Sequence, residues 1–357
     1  MSDLPAALPS PHRSRLARRL LLAVAGFLLI AVVAGAAHSL ALRRALGQLH
    51  EASRQRLEVE SARLDGLLSR FDYLPSLLET SLEVLRLLDA PENPALRREV
   101  SRYLKALNAI AGADNLYVLD ASGSAVAAAD FDQAGTPMGQ DLSYRPYMRE
   151  ALAKGRGAFY GVGITSRRAG YYLSYAMPGG SRTRGVATVK VDLQALERGW
   201  RDFPGGLMML DEHSVVILAS REEWKYRPRV PLSEQAKAEA ARSRRYGSSR
   251  LQPLLWRSRA TLPEGASRVI VDARPYLATE LPVNDGRWRL VLLADEAASV
   301  AAARWAAASA GLSTAVLLLV IALASQRRRA IRQRLASREA LQAAYDSLEA
   351  KVQERTA

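Results

Sequence analysis

Two long stretches without a charged residue limit what this 357-residue chain can fold into. The first covers residues 20–42 and the second covers residues 305–326, which are 23 and 22 residues long. An α-helix needs about 20 apolar residues to cross the hydrocarbon core of a bilayer. The sequence therefore predicts two transmembrane helices. A cleaved signal peptide is the alternative for the first stretch, although the apolar core of a signal peptide is usually shorter, about 7–15 residues.

Arginines flank the two apolar stretches on the sides that lead to the chain termini. Four arginines lie between residues 13 and 19, and five lie between residues 327 and 334. Basic residues next to a transmembrane helix are enriched on the cytoplasmic side. We therefore expect both termini in the cytoplasm of a bacterium and residues 43–304 in the periplasm, with the protein held in the inner (plasma) membrane.

The composition argues against several classes of protein. The chain has no cysteine and only four histidines, none at the spacing of a metal motif, so we expect no disulfides, no thiolate or metal site and no cofactor. The net charge is +14, which by itself would suit nucleic acid. The basic excess is spread along the chain without a stripe of interleaved aromatic residues, and this distribution argues against nucleic-acid binding.

The predicted periplasmic segment begins with a helical stalk. Apolar residues recur at helical spacing from residue 43 to about residue 90, among many charged ones. Pro75 should kink or interrupt this helix, and the tract of residues 89–94, with prolines at 91 and 94, should end it. A second helix is predicted from there to Gly112.

An internal repeat follows the stalk. NLYVLDASGSAVAAA begins at residue 115 and GLMMLDEHSVVILAS begins at residue 206, so that Asp120 aligns with Asp211 at an offset of 91 residues. Each copy has the pattern of a strand, a tight turn and a strand, and further strand-like stretches follow each copy. The sequence therefore predicts two tandem α+β modules, each an antiparallel sheet with helices packed on it. The predicted divisions are a tail (1–19), a first transmembrane helix (20–42), a stalk (43–94), a membrane-distal module (95–202), a membrane-proximal module (203–296), a second transmembrane helix (305–326) and a cytoplasmic coiled-coil start (327–357).

Tyrosines, hydroxyls, glycines and cations crowd together in the first module. Arg145 and Lys190 are the notable cations, and Lys190 lies within an alternating strand, where its charge must face either solvent or a polar pocket. An arginine and a lysine at one cavity would suit a small dianion. Each residue also has a simpler interpretation, as a surface charge or, for the tyrosines, as core, and the residue pattern alone leaves this open.

At these residues the chain resembles a known family. The blocks that carry the resemblance are NLYVLDASG, SYRPYMREAL, FYGVGITS, GYYLSYAM, VATVKVDL, DGRWRLVLL and SLEAKVQERTA, in this order between and after the two apolar stretches. In this order the chain is similar to the input half of bacterial sensor histidine kinases for C4-dicarboxylate transport. The resemblance implies a periplasmic double Cache domain, that is, two PAS-like modules on a long helix, which binds succinate, fumarate or malate in the distal module.

The resemblance also implies roles for particular residues. Arg145 and Lys190 would bind the ligand carboxylates, and hydrogen bonds would come from hydroxyl side chains. One departure is Leu142, where many relatives are expected to have a tyrosine. The hydroxyl residues implied in the ligand site are Ser143, Tyr147, Thr165 and Tyr171.

The segment after the second apolar stretch predicts signalling through a dimer. Apolar residues at 341, 345, 348 and 352 begin a coiled-coil seam. Whether the protein is an enzyme stays open, because the family continues into a phospho-accepting histidine and an ATP-binding domain, and no histidine follows His213. We expect a fragment or an orphan sensor without catalytic residues, whose partners are a second copy, a kinase module and a response regulator. The alternatives are the input domain of a chemoreceptor or cyclic-dinucleotide enzyme that senses another organic or amino acid, and an assembly scaffold.

Overall fold

The computed structural model describes the backbone of residues 11–177, 179, 183–262 and 265–356, and side chains between residues 20 and 345. Within these ranges the α-helices are α1 (Pro11–Asp72), α2 (Leu74–Glu79), α3 (Leu82–Asp89), α4 (Pro94–Ala111), α5 (Pro146–Lys154), α6 (Gln194–Gly199), α7 (Glu234–Ser243) and α8 (Ala297–Thr356). The strands are β1 (Asn115–Asp120), β2 (Ala125–Ala128), β3 (Arg156–Val162), β4 (Ala169–Met177), β5 (Gly185–Val191), β6 (Gly206–Leu210), β7 (Val216–Ala219), β8 (Trp256–Thr261), β9 (Ser267–Val271), β10 (Arg274–Val283) and β11 (Trp288–Asp295).

The described chain divides into two units, and the smaller one holds both apolar stretches. It consists of residues 11–48 of α1 and residues 297–356 of α8. Both helices are long and apolar enough to cross a membrane, and their apolar stretches are not buried by protein. The helices approach each other at small residues, since a Cβ placed on Gly311 would lie 3.5 Å from the Cβ of Ala34. Exposed apolar surface of this extent is what a lipid-facing segment requires.

The larger unit, Leu49–Glu296, begins with the remainder of α1 and three shorter helices. Tyr73 separates α1 from α2, and Pro75 lies in the first turn of α2, as the sequence predicts for a proline at the end of the stalk helix. Asn93 caps α4 by accepting hydrogen bonds from two backbone N–H groups, and Gly112 ends α4 in the left-handed conformation with a φ of 71°.

Two antiparallel sheets follow in the larger unit. The first has the strand order β2-β1-β5-β4-β3 and the second has the order β7-β6-β11-β10-β9-β8. Each sheet has an apolar core: Tyr147 and Phe159 belong to that of the first sheet, and Trp224 and Tyr276 to that of the second. The α+β fold with two tandem sheets and an N-terminal helix is the architecture that the sequence predicts.

The internal repeat is visible at atomic detail. Asp120 and Asp211 each end the first strand of a hairpin, and each accepts hydrogen bonds from the backbone N–H groups two and four residues further along, at 2.9–3.0 Å. Both hairpins also have an irregularity in strand pairing just before this aspartate. The equivalent aspartates therefore hold equivalent turns, as the offset of 91 residues predicts.

Candidate functional site

A row of side chains across the first sheet forms the floor of a cavity. Asn115 in β1 lies directly opposite Lys190 in β5, and Lys190 lies directly opposite Tyr172 in β4. Directly paired residues point to the same face of a sheet. All three side chains line one cavity, which encloses about 50 Å³. This is room for about three to five water molecules at roughly 10–15 Å³ each, so the cavity suits only a small ligand.

Two loops and one helix enclose this cavity. Residues of the loop after β2, including Gly135, line it from one side, and residues of the loop after β3, including Thr165 and Ser166, line it from another. The loops meet closely, because a Cβ on Gly135 would lie 3.4 Å from the carbonyl oxygen of Thr165. Tyr147, in the first turn of α5, lines the remaining side.

Lys190 is the central cation of the cavity. Its side chain is only 5% exposed, and its Nζ lies 2.6 Å from Asp114 Oδ2 and donates a hydrogen bond to Ser166 Oγ at 3.0 Å. Asp114 Oδ1 also accepts from Arg168 Nη2 at 2.6 Å. Gly170 makes room for the lysine, since a Cβ there would lie 2.8 Å from Lys190 Cε. The ammonium therefore has a fixed position and, among the described residues, one ionic partner, Asp114.

Arg145 lines the same cavity but is held by the backbone. It precedes α5, is 2% exposed, and donates from Nη1 to the carbonyl oxygen of Ser243 at 3.0 Å and from Nη2 to that of Val162 at 2.8 Å. Its guanidinium carbon lies 5.7 Å from the centre of the Phe159 ring. These contacts fix the positive charge at the cavity wall and connect the first sheet to the end of α7.

Three tyrosines add neutral polar groups. Tyr117 donates a hydrogen bond from its hydroxyl to the Tyr147 hydroxyl at 2.8 Å, and the Tyr147 and Tyr172 rings stack with their centres 5.1 Å apart. Burial raises the pKa of Tyr147 to about 12, and it raises the pKa values of Tyr117 and Tyr172 further. The phenols are therefore uncharged near neutral pH and do not repel an anion.

The structure brings four of the six predicted ligand residues together. Arg145, Tyr147, Thr165 and Lys190 all line the cavity. Ser143 does not line it; its backbone lies against the turn at Gly123, where a Cβ would come within 2.7 Å of it. The ligand contacts of these residues stay a prediction.

Tyr171 also lies away from the cavity. Its ring centre is 4.8 Å from that of Trp288, and its hydroxyl accepts a hydrogen bond from Asn284 Nδ2 at 3.2 Å. Because side chains alternate along a strand, Tyr171 and its neighbour Tyr172 must face opposite sides of β4. Tyr172 lines the cavity because β4 pairs with β5 in the register that places Tyr172 directly opposite Lys190.

Sequence reasoning missed several polar residues of the cavity. No local signal identified Tyr172, because its place opposite Lys190 depends on how β4 pairs with β5. Asp114 and Asn115 gave only a polar pair before a strand. No group of three or more histidine or acidic residues suited to a metal ion occurs among the described residues. The missed polar residues that line the cavity are Asp114, Asn115, Tyr117, Asp130, Ser166, Arg168 and Tyr172.

A double Cache-like domain with a small polar cavity, flanked by two candidate transmembrane helices, is the architecture of a membrane-anchored sensor. No protein-family model matches the chain. The chain is 37% identical over 243 residues to the C4-dicarboxylate transport sensor protein DctB of Pseudomonas aeruginosa, an alignment that covers 66% of this chain and 39% of that protein. It is 30% identical over 365 residues to DctB of Rhizobium meliloti, with coverage of 100% of this chain and 58% of that protein.

A solved structure supports the same assignment of fold. The sensor domain of the Vibrio cholerae histidine kinase DctB superposes with a TM-score of 0.64 at 23% identity, covering 70% of this chain and 98% of that domain. The chain belongs to the family of C4-dicarboxylate transport sensor proteins and corresponds to their sensor portion. It spans between about two fifths and three fifths of the length of the curated relatives.

Proposed function

We propose that this chain is a periplasmic receptor for small C4-dicarboxylates such as succinate, fumarate and malate. The observation that carries the proposal is that Lys190 and Arg145, both almost fully buried, line one small cavity of the first sheet. Lys190 is paired with Asp114, whereas Arg145 has no acidic partner among the described residues. The positive charge of Arg145 in the cavity wall is therefore uncompensated and favours an anionic ligand. The small volume of the cavity favours a short acid over a long one.

The neutral phenols of the cavity support the same ligand class. Tyr117, Tyr147 and Tyr172 can donate or accept hydrogen bonds without adding charge. Lys190 would exchange part of its contact with Asp114 for a contact with a ligand carboxylate. Arg145 would stabilise a second carboxylate by its charge while it keeps its backbone contacts.

The proposal extends to signalling. With both termini in the cytoplasm and residues 43–304 in the periplasm, ligand occupancy would bias a two-state equilibrium that α8 carries across the membrane. A homodimer would pass this bias through the predicted coiled coil to a histidine kinase module and its response regulator. The family membership and the continuous helix from Ala297 to Thr356 support this arrangement.

Thermal unfolding of the chain in detergent micelles tests ligand binding. We expect succinate, fumarate or malate at millimolar concentration to raise the midpoint, because a ligand that binds only the native state stabilises it, by about 2.7 kcal/mol at about 100 times its Kd. Lys190→Ala should remove this increase. Lys154→Ala is the matched control, since the Lys154 side chain is 73% exposed on α5. If no diacid raises the midpoint, the dicarboxylate assignment is wrong.

A second candidate ligand class has support from Asp114. Its carboxylate lines the cavity and could accept hydrogen bonds from the ammonium group of an amino acid. The same assay separates the two classes. A midpoint increase with alanine or isoleucine, and none with succinate, would identify an amino-acid receptor.

A further inference from the structure

One polar group in the cavity has an unmet hydrogen-bonding requirement. Asn115 is 5% exposed and lines the cavity directly opposite Lys190. Its side-chain oxygen Oδ1 is buried and accepts no hydrogen bond from any described residue. Buried amide oxygens in native proteins almost always have a partner. Asn115 Oδ1 therefore requires a hydrogen-bond donor.

The groups around Asn115 do not supply this donor. The Lys190 ammonium is engaged by Asp114 and Ser166. The backbone N–H of Asp114 donates to the carbonyl oxygen of Lys190 at 2.9 Å. The Asp114 carboxylate can only accept when it is ionised. A donor for Asn115 has to come from whatever fills the cavity.

We infer that the cavity recognises a hydrogen-bond donor on the ligand, placed on the carbon next to the carboxylate that Lys190 binds. This inference rests on the proposed dicarboxylate function and narrows it. Succinate and fumarate dianions have only acceptors, so neither can satisfy Asn115. A 2-hydroxy or 2-amino diacid can donate to it, and the position of Asn115 opposite Lys190 sets which carbon must carry the donor.

Isothermal titration of the chain in detergent with succinate, with each enantiomer of malate and with L-aspartate tests the inference. We expect one malate enantiomer to bind about tenfold more tightly than succinate, because it alone pairs a buried acceptor. The aspartate titration separates an ammonium donor from a hydroxyl donor. If both malate enantiomers bind no more tightly than succinate, the inference is wrong. A water molecule that donates a hydrogen bond to Asn115 would give this result.

Two variants of Asn115 make the test independent of overall stability. Asn115→Leu has nearly the same shape but no acceptor, so it should remove the malate preference, measured as the ratio of malate affinity to succinate affinity in the same variant. Asn115→Asp keeps an acceptor and adds a negative charge, so it should weaken both acids and retain the preference. A malate preference that survives in Asn115→Leu would overturn the inference. Failure of every acid to bind the unmodified chain would instead overturn the dicarboxylate function, and the inference with it.

Discussion

At the scale of single residues, the ion pair between Asp114 and Lys190 is the main determinant of how the cavity would treat an anion. Both side chains are less than a tenth exposed, and the contact is 2.6 Å long. Removing one partner of a buried pair leaves the other charge uncompensated, which costs about 3–5 kcal/mol. A bound anion could replace the missing partner, so stability and affinity should respond in opposite directions.

Asp114→Asn should therefore lower the thermal midpoint of the chain without ligand and strengthen succinate binding by about tenfold. The reason is that the Lys190 charge is no longer shared with a protein carboxylate. Thermal unfolding and calorimetric titration measure the two effects. Asp132→Asn, which breaks the exposed pair between Asp132 and Lys105, is the control and should change neither quantity appreciably. Weaker succinate binding in Asp114→Asn would contradict this account.

Gly170 is predicted to matter through the space that it leaves for Lys190. In Gly170→Ala the new methyl group would lie 2.8 Å from Lys190 Cε and 3.0 Å from Cγ, so the lysine side chain must move. We expect a loss of about tenfold or more in dicarboxylate affinity, because the lysine side chain must shift. We also expect a lower thermal midpoint, because the methyl group would lie 3.1 Å from the backbone carbonyl oxygen of Val191. Gly199→Ala, where no atom lies within 4 Å, is the control. Equal affinities in the two variants would refute this role.

At the scale of secondary-structure elements, the sequence predicts part of the site and all of the general architecture. The hairpins at Asp120 and Asp211 follow from alternation and turn residues, and the repeat predicts two sheets. The assignment of Tyr172 rather than Tyr171 to the cavity depends on how β4 pairs with β5. Register between distant strands is not visible in the local sequence, so the sequence alone does not tell which of the two tyrosines faces the cavity.

Besides the two hairpins, the sequence predicts strands at residues 171–177, 185–193, 267–271 and 287–294. Three strands of the structure lie outside these ranges, each for a local reason. β3 contains Gly157 and Gly161, which weaken a strand signal. β10 contains Pro275 and Pro282, which argue against a strand between two neighbours, yet the prolines lie near its ends while its centre pairs with β9 and β11. β8 is an exposed edge strand without a buried face. Tertiary pairing supplies the stability that their local sequences lack.

The buried phenols on the first sheet predict sensitivity to alkaline pH. The pKa of Tyr147 is raised to about 12 by burial, above the value of about 10 for an exposed phenol. A raised folded-state pKa gives stability that is present below pH 10 and lost as pH rises toward the folded-state value. We expect the free energy of unfolding to fall between about pH 10 and pH 12, by about 1.4 kcal/mol per pH unit for each such group.

Thermal unfolding as a function of pH, with tyrosinate absorbance as the second observable, measures this effect. Tyr147→Phe removes one ionisable group and should make the alkaline decline shallower. Tyr103→Phe, at a more exposed position on α4, is the control. Ionisation of every tyrosine near pH 10 without unfolding would show that these phenols are not protected.

At the scale of the whole sensor domain, hydrogen bonds from Arg145 connect the cavity to the end of α7. Its guanidinium bonds to Ser243 at the end of α7, and a second contact runs from the Val162 N–H to the Arg245 carbonyl oxygen at 2.8 Å. Ser243 is thus hydrogen-bonded to a residue that lines the cavity, and Arg245 is hydrogen-bonded to Val162, which directly precedes the cavity residue Gly163. A ligand that alters the contacts of Arg145 should therefore alter how well the backbone amides of residues 243–247 are protected from hydrogen exchange.

Hydrogen–deuterium exchange with and without succinate tests this connection. We expect ligand to alter exchange at residues 243–247 in the unmodified chain. Arg145→Lys keeps the charge but cannot span two carbonyl groups, so ligand should bind about tenfold more weakly and leave this segment's exchange unchanged. Arg149→Lys, at an exposed position on α5, should behave like the unmodified chain. A ligand effect that persists in Arg145→Lys would place the connection elsewhere.

The pairing of Asp114 with Lys190 has a consequence for the range of nutrient levels that such a sensor could report. Asp114 belongs to the chain and is held 2.6 Å from Lys190 Nζ, so it is present at the same effective concentration whatever the concentration of ligand. An external diacid has to compete with the Asp114 carboxylate for the Lys190 ammonium. The ion pair would then set the ligand concentration at which the sensor responds. The sensor would respond to high concentrations of its ligand and would not respond to very low ones.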